Sequence, residues 1–126
     1  IIRHYGSTKK ILGVCLGLQA IGEVFGAKLK QLDIVFHGIK SKIHKTTDDN
    51  PIFSGLDTCF EAGRYHSWVI DKNMLPDDLI ITAVDEVGEI MAIRHRRFNI
   101  FAVQFHPESY MTPNGKVMMR NFLSLS

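Results

Sequence analysis

The sequence predicts an α/β fold: an open, mostly parallel sheet with flanking helices, incomplete at its N-terminal end. Three observations lead there. The run Lys10-Ile11-Leu12-Gly13-Val14-Cys15 is short and nearly continuously apolar, which suits a strand buried on both faces. It leads through Gly17 into a segment of helical spacing. Several short strands separated by turn clusters follow, and an amphipathic stretch closes the chain. The 126 residues fit a single domain, 1–126, with no linker and no internal repeat.

The elements can be justified in order. Ile1-Ile2-Arg3-His4-Tyr5 reads as the end of a helix, with a turn at Gly6-Ser7. With no methionine in front, the sequence is expected to start inside a larger unit. The strand ending at Cys15 is followed by a helix through Leu18-Gln19-Ala20-Ile21-Gly22-Glu23-Val24-Phe25, stopped by Gly26. From Ala27 to Lys45 the pattern is strand-like, with Leu29, Leu32, Ile34, Phe36, Ile39 and Ile43 as its apolar residues. Asp48-Asp49-Asn50-Pro51 is a turn, Cys59 to Tyr65 a strand, and Leu75-Pro76-Asp77-Asp78 another turn. Leu79 to Ala83, Ile90 to Arg94 and Ile100 to Phe105 are three more strands. Their connections are Val87-Gly88-Glu89 and Arg97-Phe98-Asn99. Thr112-Pro113 reads as an N-cap followed by proline at the first helical position. The helix then places Val117, Met118, Phe122 and Leu123 at core spacing. Only one clear strand–helix unit is present, so the parallel sheet is under-supplied, as an absent N-terminal part would leave it.

Composition narrows the function classes. Apolar residues make up 45% and charged residues 22%, an ordinary globular mixture, and a net charge of +2 calls for neither a nucleic-acid nor a membrane partner. Arg94-His95-Arg96-Arg97 has no second basic cluster beside it and reads as a solvated turn. Two cysteines, Cys15 and Cys59, do not make a disulfide scaffold and suggest a reducing, cytoplasmic setting. Cys59 begins an apolar strand and reads as inert core. His37, His44, His66 and His95 lack metal-ligand spacing, so no metal or other cofactor is expected. No apolar run reaches the length of a membrane span.

Two motifs carry chemistry. Gly13-Val14-Cys15-Leu16-Gly17 has the form Gly-x-nucleophile-x-Gly at a strand-to-helix turn. Small flanking residues let the backbone turn sharply, and a helix start behind the thiol favours the thiolate. The N–H after the nucleophile, that of Leu16, can face an oxyanion. Taken alone, the motif equally suits a structural cysteine before a capped helix. The second motif is Val103-Gln104-Phe105-His106-Pro107-Glu108-Ser109, at the end of the last apolar strand. A thiol nucleophile needs a base, and the base needs a group to fix its tautomer and direction. In an extended segment the side chains of His106 and Glu108 lie on one side. Cys15 and His106 both fall at predicted strand ends, where α/β sheets build their sites.

Together these motifs resemble the class I (triad) glutamine amidotransferases. Within that family the chain most resembles the small subunit of anthranilate synthase and of aminodeoxychorismate synthase. Val35-Phe36-His37-Gly38, Arg64-Tyr65-His66-Ser67-Trp68, Ala92-Ile93-Arg94-His95 and Ile100-Phe101-Ala102-Val103 extend the likeness over nearly the whole chain. The resemblance implies a flavodoxin-like amidotransferase domain, of which this chain is the C-terminal two-thirds. It implies that Cys15 attacks the side-chain amide of glutamine to form a thioester. His106 serves as base and Glu108 as its orienter. Leu16 gives one oxyanion N–H. Gln19 contacts glutamine, and the backbone around Ser67 and Trp68 holds its α-amino and carboxylate ends. Ammonia would pass to a chorismate-binding synthase subunit.

Two departures qualify the resemblance. Leu18 stands where the anthranilate-type subunits usually have histidine. Nothing matches the family's preceding segment with its Gly-Pro-Gly loop, which supplies the second oxyanion donor, so weak stability and activity are expected of this chain alone. The same motifs also suit a γ-glutamyl hydrolase, an amidotransferase for another acceptor, or a non-catalytic regulatory subunit of the same fold.

Overall fold

The computed structural model describes residues 2–125 and bears out the α/β class. In chain order the elements are α1 (Ile2–Tyr5), β1 (Ile11–Val14), α2 (Leu16–Val24), β2 (Leu29–Gln31), β3 (Ile39–Lys45), β4 (Cys59–Arg64), β5 (Trp68–Ile70), β6 (Leu79–Val84), β7 (Ile90–His95), β8 (Ile100–Val103) and α3 (Gly115–Leu123). Short 3₁₀ turns cover Pro51–Phe53 and Lys72–Met74. A six-stranded sheet has the order β1-β8-β7-β6-β3-β4, and β2 pairs with β5 apart from it.

The expected strand sense needs correction, because the described sheet is mixed. β1 and β8 run parallel, whereas the other four pairings are antiparallel. The reason is in the connections, since tight turns can join only antiparallel neighbours and a parallel pair needs a long crossover. Between β6 and β7, the Asp85 carboxylate accepts the N–H groups of Val87 and Glu89, and Gly88 takes a φ of 89°. Between β7 and β8, His95 Nδ1 accepts the N–H groups of Arg97 and Phe98. The basic turn is therefore built around a buried His95, with Arg96 and Arg97 exposed.

Three other local readings change. The stretch from Ala27 to Lys45 is broken: residues 32–38 form a loop that pairs by backbone with residues 64–67. Leu32 N donates to Ser67 O, Phe36 N to His66 O and Gly38 N to Arg64 O. An extended loop keeps the alternating pattern of a strand, which is why the sequence did not distinguish them. α3 starts at Gly115 with Asn114 as its N-cap residue. Thr112 is engaged elsewhere, since its hydroxyl donates to His106 O and accepts from Gly63 N–H. Cys59 is exposed, because β4 lies at the sheet edge and the first residue of its alternating pattern faces outward.

The core has two halves, one on each face of the sheet. Phe53, Phe60, Met91, Phe101, Val103, Phe105 and Met118 form one, on the side of α3. Leu18, Ile21, Ile70, Ile93, Ile100 and Ala102 form the other, on the side of α2. β8 supplies alternate residues to both and is wholly buried, as a strand covered on both faces must be. This rigid strand carries the chain into the Gln104–Glu108 segment. At the opposite end, Lys10 Nζ donates to the carbonyls of Phe122, Leu123 and Leu125, tying the start of β1 to the C-terminus of α3.

Candidate active site

Cys15 is the one non-glycine residue with positive φ among the described residues, at φ 54° and ψ −101°. Its N–H donates to Val103 O, which continues the β1–β8 pairing to the bend. The chain then folds back as α2. The two glycines of the motif do different work. A Cβ on Gly13 would lie 2.6 Å from Ile21 Cδ1 and 2.8 Å from the Gly17 carbonyl carbon, so the bend closes tightly over it. A Cβ on Gly17 would meet open space. Holding a non-glycine residue in such backbone costs about 1–3 kcal/mol and is concentrated at functional sites. The bend makes the sulfur reachable from a cleft of about 430 Å³.

That cleft is lined by Cys15, Leu16, Gln19, Ser67, Trp68 and His106, together with Val14, Tyr65 and His66. Six of the seven residues singled out from the sequence therefore meet in one place. The seventh, Glu108, lies beside it: its Oε2 is 2.7 Å from His106 Nδ1. The route to this contact differs from the extended segment expected. His106 N–H donates to Gly63 O at the end of β4, and Ser109 N–H then returns to His106 O, so Pro107 and Glu108 form a turn. The His106 carbonyl also takes the Thr112 hydroxyl. A Cβ on Gly115 would collide with the Pro107 carbonyl, so the start of α3 is packed directly on this turn. A Cβ on Gly63 would come within 2.9 Å of Ser109 Oγ.

The thiol has its own surroundings. Its Sγ donates to Tyr65 O at 3.8 Å and receives the Gln104 side-chain amide N–H at 3.6 Å. Burial pushes the Cys15 thiol above its ordinary value. The Leu16 N–H and the Gln104 amide offset part of this, and the charge of Glu108 adds to it. The Leu16 N–H at the helix start favours the thiolate, as the sequence reading has it, but burial outweighs it. A protonated thiol at neutral pH needs a base, and His106 shares its cleft.

The opposite wall is held by side chains of the Arg64-Tyr65-His66 segment, whose contacts the sequence did not reveal. His66 Nε2 accepts from Arg64 Nε at 3.0 Å, and its Nδ1–H donates to Trp68 O at 3.2 Å. Burial, with the neighbouring Arg64 charge, lowers the His66 pKa to about 4, so the ring is neutral. Arg64 is buried on Asp85 at 3.0 Å and lies over the Phe36 ring at 3.7 Å. Gln19 Nε2 also donates to Trp68 O, and Ser67 O accepts Leu32 N–H, so both wall carbonyls are engaged within the chain. The Tyr65 ring lies 5.1 Å from that of His106, and its hydroxyl is 3.2 Å from Ser109 Oγ. One missed residue left a signal: Gln104 is a polar residue between Val103 and Phe105, two positions before His106. Leu18 is fully buried in the α2 half of the core, so this departure bears on packing and not on the cleft. Among the described residues, no group of three or more His, Cys, Asp or Glu is placed to hold a metal ion. No helix among them is long and apolar enough to cross a membrane.

The family model for class-I glutamine amidotransferases matches residues 1–125. The chain is 46% identical to aminodeoxychorismate synthase component 2 of Klebsiella aerogenes, over 98% of this chain and 65% of that protein. It is 45% identical to aminodeoxychorismate/anthranilate synthase component 2 of Bacillus subtilis, over 97% and 62%. Among solved structures it superposes with TM-score 0.86 and 31% identity on one assigned to a GMP synthase subunit from Thermoplasma acidophilum, covering 97% of this chain and 58% of that one. The chain thus spans less than two thirds of the length of these relatives.

Proposed function

The chain belongs to the class-I glutamine amidotransferase family, and from that premise we propose that it is the glutaminase part of a synthase that aminates chorismate. We read residues 1–126 as the C-terminal two-thirds of one such domain, working in a cytoplasmic setting where Cys15 and Cys59 remain free thiols. The observation that carries the proposal is the bend at Cys15, which turns its thiol into a cleft shared with a His106 that Glu108 already holds.

The steps follow from the groups in place. Glu108 accepts the Nδ1–H of His106, which leaves Nε2 as the basic nitrogen. His106 takes the thiol proton, and Cys15 Sγ attacks the amide carbon of glutamine. The oxyanion that forms faces the N–H of Leu16, at the start of α2. His106 returns the proton to the departing ammonia and leaves a glutamyl thioester. Water, deprotonated by the same His106, then releases glutamate. Gln19 and the turn at Ser67-Trp68 form the wall that holds the amino-acid end of the substrate. The names of the relatives point to chorismate as the final acceptor, through a synthase subunit that receives the ammonia.

Glutamine hydrolysis by the full-length protein, with and without a chorismate-binding synthase subunit, tests this. Activity should depend on Cys15 and vanish in Cys15→Ser, and chorismate amination should then require both chains. A folded Cys15→Ser protein that hydrolysed glutamine at the original rate would refute the proposal.

A further inference from the structure

The Gln104 side chain is fully buried, and its two polar ends are treated differently. Its Nε2–H donates to Cys15 Sγ at 3.6 Å. Its Oε1 is buried and has no hydrogen-bond partner among the described residues. The backbone of Gln104 needs no help from this amide, since its N–H donates to Met91 O. A leucine or methionine would fill the same space between Val103 and Phe105 and leave no polar atom stranded. A buried amide with an orphaned oxygen calls for an explanation other than packing.

Resting on the glutaminase reading, we infer that Gln104 is a further catalytic residue, the donor that holds the Cys15 sulfur in its thiolate form during attack on the substrate. What matters is the difference between the two forms of the sulfur. In the thiol form, Sγ donates its hydrogen to Tyr65 O and accepts from Gln104. When His106 takes the proton, the S–H bond breaks and the electron pair stays on sulfur. The contact with Tyr65 O then turns from attractive to repulsive. The hydrogen bond from Gln104 becomes charge-assisted and strengthens. Gln104 thus favours the reacting form over the resting one, which is the condition for catalysis. The opposite amide orientation, with Oε1 toward sulfur, would favour the thiol instead, so the two orientations predict opposite effects.

The test is the pH dependence of Cys15 alkylation by iodoacetamide in the full-length protein. Peptide mass separates Cys15 from the exposed Cys59. Replacing the donor in Gln104→Leu should raise the midpoint by about one pH unit, as loss of one hydrogen bond to a charged group does. Below the midpoint, the labelling rate should fall about tenfold for that shift. Glutaminase kcat should fall with it while KM stays, and the melting temperature should hold or rise because the stranded oxygen is gone. An unchanged or lowered midpoint in folded Gln104→Leu overturns the inference. If that variant fails to fold, Gln104→Met serves in the same way, and a wild-type midpoint there overturns it too. Iodoacetamide needs no glutamine pocket. A wild-type protein inactive on glutamine would therefore sink the glutaminase reading and still leave this measurement to decide the role of Gln104.

Discussion

Among single residues, the meeting of Cys15 and His106 in one cleft, with Glu108 on His106, was legible because each belongs to a short local pattern. The elbow glycines were legible only as a pair, and the structure separates them. Gly13 is in a closed bend and Gly17 faces open space. Gly17→Ala should leave glutaminase activity intact and, by reducing the freedom of the unfolded chain, stabilise the protein by about 0.5–1 kcal/mol. Gly13→Ala should destabilise it and lower activity, since the new methyl group meets the Gly17 backbone. Parallel denaturant curves and rates on the two variants check this. His106→Asn keeps a polar side chain and removes the proposed base. It should lower kcat by about 100- to 10,000-fold, with little change in KM. Gln104, Tyr65 and His66 were read as members of their motifs without a role of their own, because that role comes from contacts between segments remote in the chain.

Among the elements, β1, α2, β4, β6, β7 and β8 were legible from apolar period, whereas β2 and β3 were read as one stretch and β5 was not read at all. The strand sense was not legible, because pairing direction depends on connections, and the Asp85 and His95 turns are side-chain devices. The start of α3 was misplaced because Thr112 looks like a cap and instead binds His106 O and Gly63 N–H. That error is informative, since it joins α3, β4 and the His106 turn into one unit. Gly115 is its tightest point, and Gly115→Ala should push α3 away from Pro107 and lower both stability and kcat. Normal activity and melting temperature in Gly115→Ala would contradict this packing. At the far end of α3, Lys10 holds three carbonyls. Lys10→Met keeps the apolar stem and should cost about 1–2 kcal/mol in urea unfolding, with catalysis untouched.

For the whole molecule, the buried neutral histidines tie folding to pH. The pKa of His66 is lowered to about 4, and that of His95 is lowered by burial and by the charges of Arg97 and Arg94. Both are depressed, so the unfolded chain binds these protons first. Stability is at its full value above the ordinary histidine range near 6.5. It falls as pH drops toward 4, by on the order of 3 kcal/mol from His66 if the shift is fully expressed. His66→Gln should flatten that part of a stability-versus-pH curve; an equally steep fall would place the effect elsewhere.

All of this chemistry depends on Cys15 being a nucleophile that faces a glutamine-shaped pocket. A glutamine-like chloroketone, followed by intact mass and peptide mapping, addresses that dependence directly. One adduct is expected, on Cys15, slowed by glutamine and lost in Cys15→Ser, with the exposed Cys59 unlabelled. Labelling in the folded full-length protein confined to Cys59, or an adduct that survives in Cys15→Ser, would contradict it.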